Sequence, residues 1–322
     1  MKGGVWFMKD NVRTIGIVGT GMMASSMAVL TTGHGFHTVV LARTNESARR
    51  LVASYDRFFA ELREHGFLTE TQADVCKKYL QVTLVYEDMR AAETVFECVA
   101  EKVAVKQDVY RALEKACPQL KSICSVSSSI IPELLAEGLE RYSDRVLVAH
   151  PFNPPHMVPY FEICAGAHTD PSVTDYVIEL LRELDRKPVL LKKAAPGFIG
   201  NRLQFALWRE ALHIVEEGIA DPRDVDACLN YSFCPRYSSI GIFEHFDNGG
   251  LELNQTVSDV LFPVLGDAKK VSNLVTDRIK AGDLGVKTGV GFYDWRNVDM
   301  KAYGERVNAP YWRYCNWKLP EE

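Results

Sequence analysis

"IGIVGTGMMASSMA", Ile15 to Ala28, joins a short β-branched run to a helix-forming one through Gly19, Gly21 and Ala24. The spacing G-x-G-x-x-A has a mechanical meaning in that setting. Gly19 permits a tight turn, Gly21 leaves room for a pyrophosphate to touch the backbone, and the small Ala24 lets helix and strand approach closely. The N-terminus of the helix then faces the phosphates with free N–H groups. This strand–turn–helix unit predicts a doubly wound sheet and assigns Gly19, Gly21 and Ala24 to dinucleotide binding.

Working outward, the second strand closes in "TVVLARTNES", Thr38 to Ser47. An NAD site places Asp or Glu here to accept hydrogen bonds from the adenosine ribose. This chain has Arg43. A guanidinium accepts no hydrogen bond, but its planar fork suits a phosphate. With Thr44 and Asn45 as further donors, the expected cofactor is NADP or NAD, with NADP favoured by Arg43. The competing reading is a solvated arginine, with NAD held by other contacts.

Short runs rich in Val and Ile recur as "AETVFECV", "SICSVS", "RVLVAH" and "KPVLLKK", mostly separated by helical stretches. Parallel pairing through right-handed crossovers follows. Between the second and third of the strands read here, about residues 46–79, a charged Leu/Phe-striped stretch, a Gly-Phe-Leu turn and a second helical stretch predict a helical hairpin. From Phe198 onward helical periodicity dominates, with Asp221 and Pro222 as N-cap and first-turn residues. The expected architecture is α/β. A Rossmann-like, mainly parallel sheet domain over 1–194 precedes an all-helical domain over 195–322.

The chain has 322 residues, 47% hydrophobic and 25% charged, with a formal net charge of -5. That balance suits a globular protein with a sizeable core and speaks against broad nucleic-acid or anionic-membrane binding. No apolar run approaches the ~20 residues of a membrane span, and the N-terminal apolar stretch is too short for a signal peptide. An internal start at Met8 is one reading of the N-terminus. The eight cysteines, Cys76, Cys98, Cys117, Cys124, Cys164, Cys228, Cys234 and Cys315, show no C-x-x-C pair. They read as reduced core thiols of a cytoplasmic protein, and no histidine spacing suggests a metal.

Four more segments line up in order. "FECVAEKVAVK" holds Glu101 and Lys106, "ICSVSSSII" holds Ser128, "VAHPFNPPHMVPYFEI" holds His150 and Glu162, and "PGFIGNRL" holds Asn201. With these the chain resembles the L-3-hydroxyacyl-CoA dehydrogenase family, including its lambda-crystallin and L-gulonate 3-dehydrogenase branch, from about Thr14 to Trp295. The resemblance implies His150 as acid–base held by Glu162. It also implies Asn201 and Ser128, flanked by Ser127 and Ser129, as contacts to the substrate oxygen. Glu101 and Lys106 are then expected near the nicotinamide and its ribose, Asn153 and Arg236 near substrate, and the helical domain in a homodimer. The residues agree with this: His150 closes a strand, Pro151, Pro154 and Pro155 force an irregular loop, and the chain returns carrying Glu162. Two adjacent strand ends can then set a carboxylate on one imidazole nitrogen and leave the other for substrate.

The implied activity is reversible hydride transfer between NAD(P) and C3 of an L-3-hydroxyacyl substrate such as 3-hydroxybutyryl-CoA. Acyl-CoA members of the family are similar in the "KTGVGFY" of "GVKTGVGFYDW", and the basic hairpin residues Arg49, Arg50, Arg57, Arg63, Lys77 and Lys78 read either as contacts to CoA phosphates or as a solvated face. "AHPFNPP" and Arg236 in "FCPRYSS" resemble the gulonate branch, which implies a free 3-hydroxy acid, L-gulonate or carnitine-like, with its carboxylate clamped by the guanidinium. A reading of another class, a non-catalytic cofactor-binding or structural protein, predicts decay of the polar site. The apparent intactness of His150, Glu162 and Asn201 argues against it.

Overall fold

A computed structural model describes residues 13–313. The reading of an internal start at Met8, and Cys315, lie outside the described residues. Eight strands form one sheet: β1 (Thr14–Val18), β2 (His37–Leu41), β3 (Leu80–Thr83), β4 (Ala92–Glu97), β5 (Ser122–Ser125), β6 (Val146–Pro151), β7 (Tyr160–Ala165) and β8 (Lys187–Leu190). Their order is β3-β2-β1-β4-β5-β6-β7-β8. Every neighbouring pair is parallel except β6–β7, which is antiparallel.

Six helices accompany the sheet: α1 (Met22–Gly33), α2 (Asn45–Glu64), α3 (Glu70–Lys77), α4 (Val103–Ala116), α5 (Pro132–Ala136) and α6 (Pro171–Glu183). The β-branched runs are apolar on both sides because both faces of the sheet are covered. Ile15, Ile17, Val40 and Phe96 pack with Leu30 of α1, Leu51 of α2 and Leu180 of α6. On the opposite face Val39, Val95, Ile123 and Val148 pack with Tyr110 and Leu113 of α4. The helical hairpin expected over 46–79 is α2 and α3, each opened by a reciprocal capping box, Thr44 with Ser47 and Thr69 with Gln72. Strand β3 directly after the hairpin is an addition to the sequence reading.

Residues 13–198 and 305–313 make one compact unit, and Ile199–Gly304 make another. The division falls a few residues after the expected 194/195 boundary. It also corrects the assignment of the last segment to the helical domain. Trp312, whose ring stacks on His65 at 3.8 Å and lies 5.5 Å from Phe67, ties 305–313 to the hairpin instead. The second unit consists of α7 (Gly200–Glu216), α8 (Pro222–Tyr231), α9 (Cys234–Tyr237), α10 (Ile242–Gly249), α11 (Leu251–Leu261) and α12 (Asn273–Ala281). A final helix, α13 (Met300–Trp312), carries the chain across the division. Among the described residues no helix is long and apolar enough to cross a membrane.

Candidate active site

The order of the sheet reverses between β1 and β4, so a crevice opens outside the carboxyl ends of those strands, where doubly wound sheets take their ligands. Gly19 sits there with φ of 121°, and a Cβ on it would stand 2.6 Å from the carbonyl oxygen of Cys98. A Cβ on Gly21 would meet nothing within 4 Å. Gly21 is the N-cap of α1, with no side-chain cap and no acidic residue in the first turn. The leading N–H groups of α1 therefore lack side-chain acceptors, and the space beside them is clear. That cradle fits a dinucleotide pyrophosphate. Ala24 is fully buried in the core beneath it.

One strand away, Arg43 follows β2 and is exposed, with no hydrogen bond or ion pair among the described residues. Thr44 accepts the amide of Ser47 and so caps α2. Its hydroxyl proton stays available beside Arg43, at the N-terminus of a twenty-residue helix.

On the other side of the crevice, antiparallel pairing sets His150 directly opposite Glu162. Their side chains share that face, and His150 Nδ1 lies 2.9 Å from Glu162 Oε2. Glu162 has no exposed surface, and a tenth of the His150 side chain is exposed. With Nδ1–H donating to the carboxylate, Nε2 carries the lone pair. The rings of Phe152 and Phe198 flank the imidazole at 5.4 and 5.6 Å. Phe198 adopts a left-handed φ of 47°, a strained conformation for a side chain of its size, directly after Gly197. The Tyr160 hydroxyl stands 3.5 Å from Glu162 Oε1. Burial and then the Glu162 charge push its pKa up to about 12, so it keeps its proton. Asn153 is exposed in the loop that leaves β6.

Between these two ends lies a third cluster. Glu101 accepts hydrogen bonds from the hydroxyls of Ser127 and, at 3.1 Å, Ser129. Partial burial pushes the Glu101 carboxyl up, but the Ser127 hydrogen bond and the Lys106 charge outweigh it and hold it below the usual carboxylate range. Ser127 also accepts the amides of Ser129 and Ile130. Ser128, half-buried, makes no hydrogen bond among the described residues. Lys106 departs from the sequence expectation. Its side chain has no exposed surface, and its ammonium is shared by Glu97 at 2.8 Å and Glu101 at 3.2 Å. It reaches the crevice only through Glu101. Sequence reasoning does not single out Glu97, because β4, "AETVFE", carries another Glu and a Thr and nothing in it marks the last Glu as the buried one.

The structure thus brings together His150 with Glu162, and Glu101 with Lys106 and the serine run. Asn201, on the first turn of α7, and Arg236, on α9, belong to the other unit. Arg236 Nη1 lies 3.3 Å from His245 Nε2 and has no acidic partner among the described residues. Among those residues no group of three or more His, Cys, Asp or Glu is placed to hold a metal.

Residues 14–194 match the NAD-binding domain of 3-hydroxyacyl-CoA dehydrogenase, and residues 197–295 match the C-terminal domain of the same family. The chain is 29% identical over 294 residues to 5-formyl-3-hydroxy-2-methylpyridine 4-carboxylate 5-dehydrogenase of Mesorhizobium japonicum, covering 90% of this chain and 93% of that one. It is 26% identical over 283 residues to 3-hydroxybutyryl-CoA dehydrogenase of Clostridioides difficile, covering 87% and 99%. Among solved structures, a 5-formyl-3-hydroxy-2-methylpyridine 4-carboxylic acid 5-dehydrogenase described as an NAD+-dependent dismutase superposes with a TM-score of 0.85. The identity is 27%, over 96% of this chain and all of that one. The (S)-3-hydroxybutyryl-CoA dehydrogenase of Ralstonia eutropha gives 0.73 at 27% identity, over 89% of this chain and all of that one.

Proposed function

We propose, from the premise that this chain belongs to the 3-hydroxyacyl-CoA dehydrogenase family of NAD-dependent oxidoreductases, that it oxidises a small hydroxy acid bearing a free carboxylate. The observation that carries the chemistry is the 2.9 Å contact between His150 Nδ1 and Glu162 Oε2. It leaves Nε2 free to take the proton of the reacting hydroxyl, or to return it to a ketone. Glu162, buried and fixed by the strand register, stabilises the imidazolium that results. Ser128 donates to the same oxygen and Asn153 orients the substrate, while Asn201 keeps the substrate-oxygen role that the family resemblance implies. The nicotinamide, when bound, accepts the hydride from the carbinol carbon or delivers it back. Gly19, Gly21 and the uncapped end of α1 hold its pyrophosphate.

Arg43 and Thr44 support NADP over NAD at the ribose. In wild type, kcat/KM with NADP is expected to exceed that with NAD, and Arg43→Asp should reverse the order. A wild type that prefers NAD removes this assignment.

The free-acid reading rests on where the basic residues spend their charge. Arg50 pairs with Glu46, Arg57 with Glu61, Arg63 with Glu70 and Lys77 with Asp56, so most of the hairpin's cations are already met. Among the described residues the Arg236 guanidinium has His245 as its polar neighbour and no acidic one. The higher structural likeness to the pyridine-carboxylate enzyme points the same way. A second reading, an L-3-hydroxyacyl-CoA such as 3-hydroxybutyryl-CoA, is favoured by the similarity to 3-hydroxybutyryl-CoA dehydrogenase and by Arg49 and Lys78, which form no ion pair among the described residues.

A panel of gulonate, carnitine, 3-hydroxybutyrate and acetoacetyl-CoA with either cofactor separates the two. Arg236→Met should raise the KM of the preferred free acid about 30-fold, the worth of one charge-assisted hydrogen bond, and spare acetoacetyl-CoA turnover. An unchanged free-acid KM removes the clamp. Two copies of the chain are further proposed to pair through the helical unit. Its exposed Phe205, Tyr231, Phe243 and Phe262 are apolar side chains that a second copy could cover.

A further inference from the structure

Glu97 closes β4 with no exposed surface. Its Oε1 accepts the Val99 amide at 2.7 Å and Lys106 Nζ at 2.8 Å. Its Oε2 accepts Lys106 Nζ, the Tyr110 hydroxyl and the Ser125 hydroxyl, each at 2.9 Å. A buried carboxylate needs donors on both oxygens, and Glu97 has them, an ammonium among them. Lys106, equally buried, has carboxylates on two sides. The charges do not cancel. Glu97 and Glu101 share one ammonium, which leaves one net negative charge built into the strand ends.

The position of that charge follows from the sheet. Glu97 is in register with Val18 of β1 on one side and Ser125 of β5 on the other. Cys98, the next residue, is the one against which Gly19 turns. The chain that links Glu97 to Glu101 is therefore a wall of the phosphate-loop crevice. His150 on β6 stands two strands from β4, roughly 10 Å at the usual strand spacing. A ring that exchanges hydride with a carbinol held by His150 has to lie near this charge.

We infer that Glu97 and Lys106 act through Glu101 to set the relative affinity for oxidised and reduced cofactor, favouring the cationic oxidised nicotinamide over the neutral dihydro ring. The inference rests on the reading of the crevice as a nicotinamide-dinucleotide site. Glu97 is a positioning residue: it fixes the ammonium and, through it, the charge that faces the crevice. A purely structural carboxylate would weaken both redox forms alike when replaced. A charge device weakens only the oxidised one.

Isothermal titration of wild type, Glu97→Gln and Glu101→Gln with NAD+, NADH, NADP+ and NADPH tests this. In Glu97→Gln the Kd ratio, oxidised over reduced, should rise about tenfold, as expected for removing one partly screened charge. Glu101→Gln, at a half-exposed position that tolerates substitution, should move the ratio the same way and carries the test if Glu97→Gln does not fold. Equal weakening of both forms in these variants overturns the inference. Wild type that binds none of the four overturns instead the cofactor reading beneath it.

Discussion

Phe96 and Phe243 are the same side chain in two regions of one molecule, with 0% of the first and 86% of the second exposed. Phe96 lies next to the end of β4 and packs with Ile15, Leu30 and their neighbours in a closed core. In the helical unit Leu212 is the only hydrophobic side chain that is fully buried among the described residues. Tyr231 is 88% exposed and Phe262 71%. A cavity of about 630 Å³ lies within that unit, bordered by Trp208, Val275, Phe292 and Trp295. The sheet unit buries most of its large apolar side chains. The helical unit exposes large apolar side chains of its amphipathic helices among the described residues, which is the kind of surface that a partner covers.

The contrast can be broken at three points, in falling order of effect. His150→Gln should lower kcat by up to about 10⁴-fold, the range of a lost acid–base group. Sedimentation should show the association state of that variant unchanged. Chemistry that survives in His150→Gln would mean the closed unit does not carry the reaction. Next, Phe96→Ala should cost about 3–5 kcal/mol of unfolding free energy in urea titration, as for other large cavities in closed cores. The corresponding change at Phe243 should cost under about 0.5 kcal/mol in the isolated chain. Phe243→Asp should instead weaken self-association about 30-fold or more, the scale of an interface hot spot. Self-association that Phe243→Asp leaves intact would show that this face is not where two copies meet.

The sheet unit was also the more legible of the two. Runs rich in Val and Ile marked six strands, because both faces of a covered sheet demand apolar residues, and the return after the proline loop marked β7 as a seventh. β3 escaped since only Thr83 of its four residues is buried, and it follows the hairpin without a turn signal. His150 and Glu162 were readable because strand, proline loop and returning strand fix a register. The Glu97–Lys106 pair was not. Its members stand nine positions apart across a turn, and nothing in "FECVAEKVAVK" announces that Ser125 and Tyr110 will close around the carboxylate. In the helical unit periodicity marked the helices, but an amphipathic face has the same pattern whether it is covered by its own chain or by another.

Acid sharpens the comparison least in size but most locally. His156 is fully buried in the loop after β6. Its Nδ1 lies 2.7 Å from the Ser26 hydroxyl of α1, and its ring is 4.6 Å from that of Phe58. Burial and then the nearby Arg186 charge push it down to about 3. His34, at the end of α1, is pushed down to about 4, chiefly by burial. Both stay neutral in the fold, while the unfolded chain takes up protons near pH 6.5. The unfolded state therefore binds more protons as pH falls. Stability is complete above about pH 6.5 and declines below it, by about 1.4 kcal/mol per pH unit for each histidine. The decline continues until the folded values near 4 and 3 are passed. Neither histidine of the helical unit, His213 or His245, is fully buried. His156→Asn should therefore lose about 2 kcal/mol less urea-unfolding free energy between pH 6 and pH 4.5 than wild type over the same interval. Carboxylate contributions are common to both proteins and drop out of that comparison. If the two slopes coincide, acid lability does not originate at the contact between α1 and the His150 loop, and the closed unit is not the part that acid opens first.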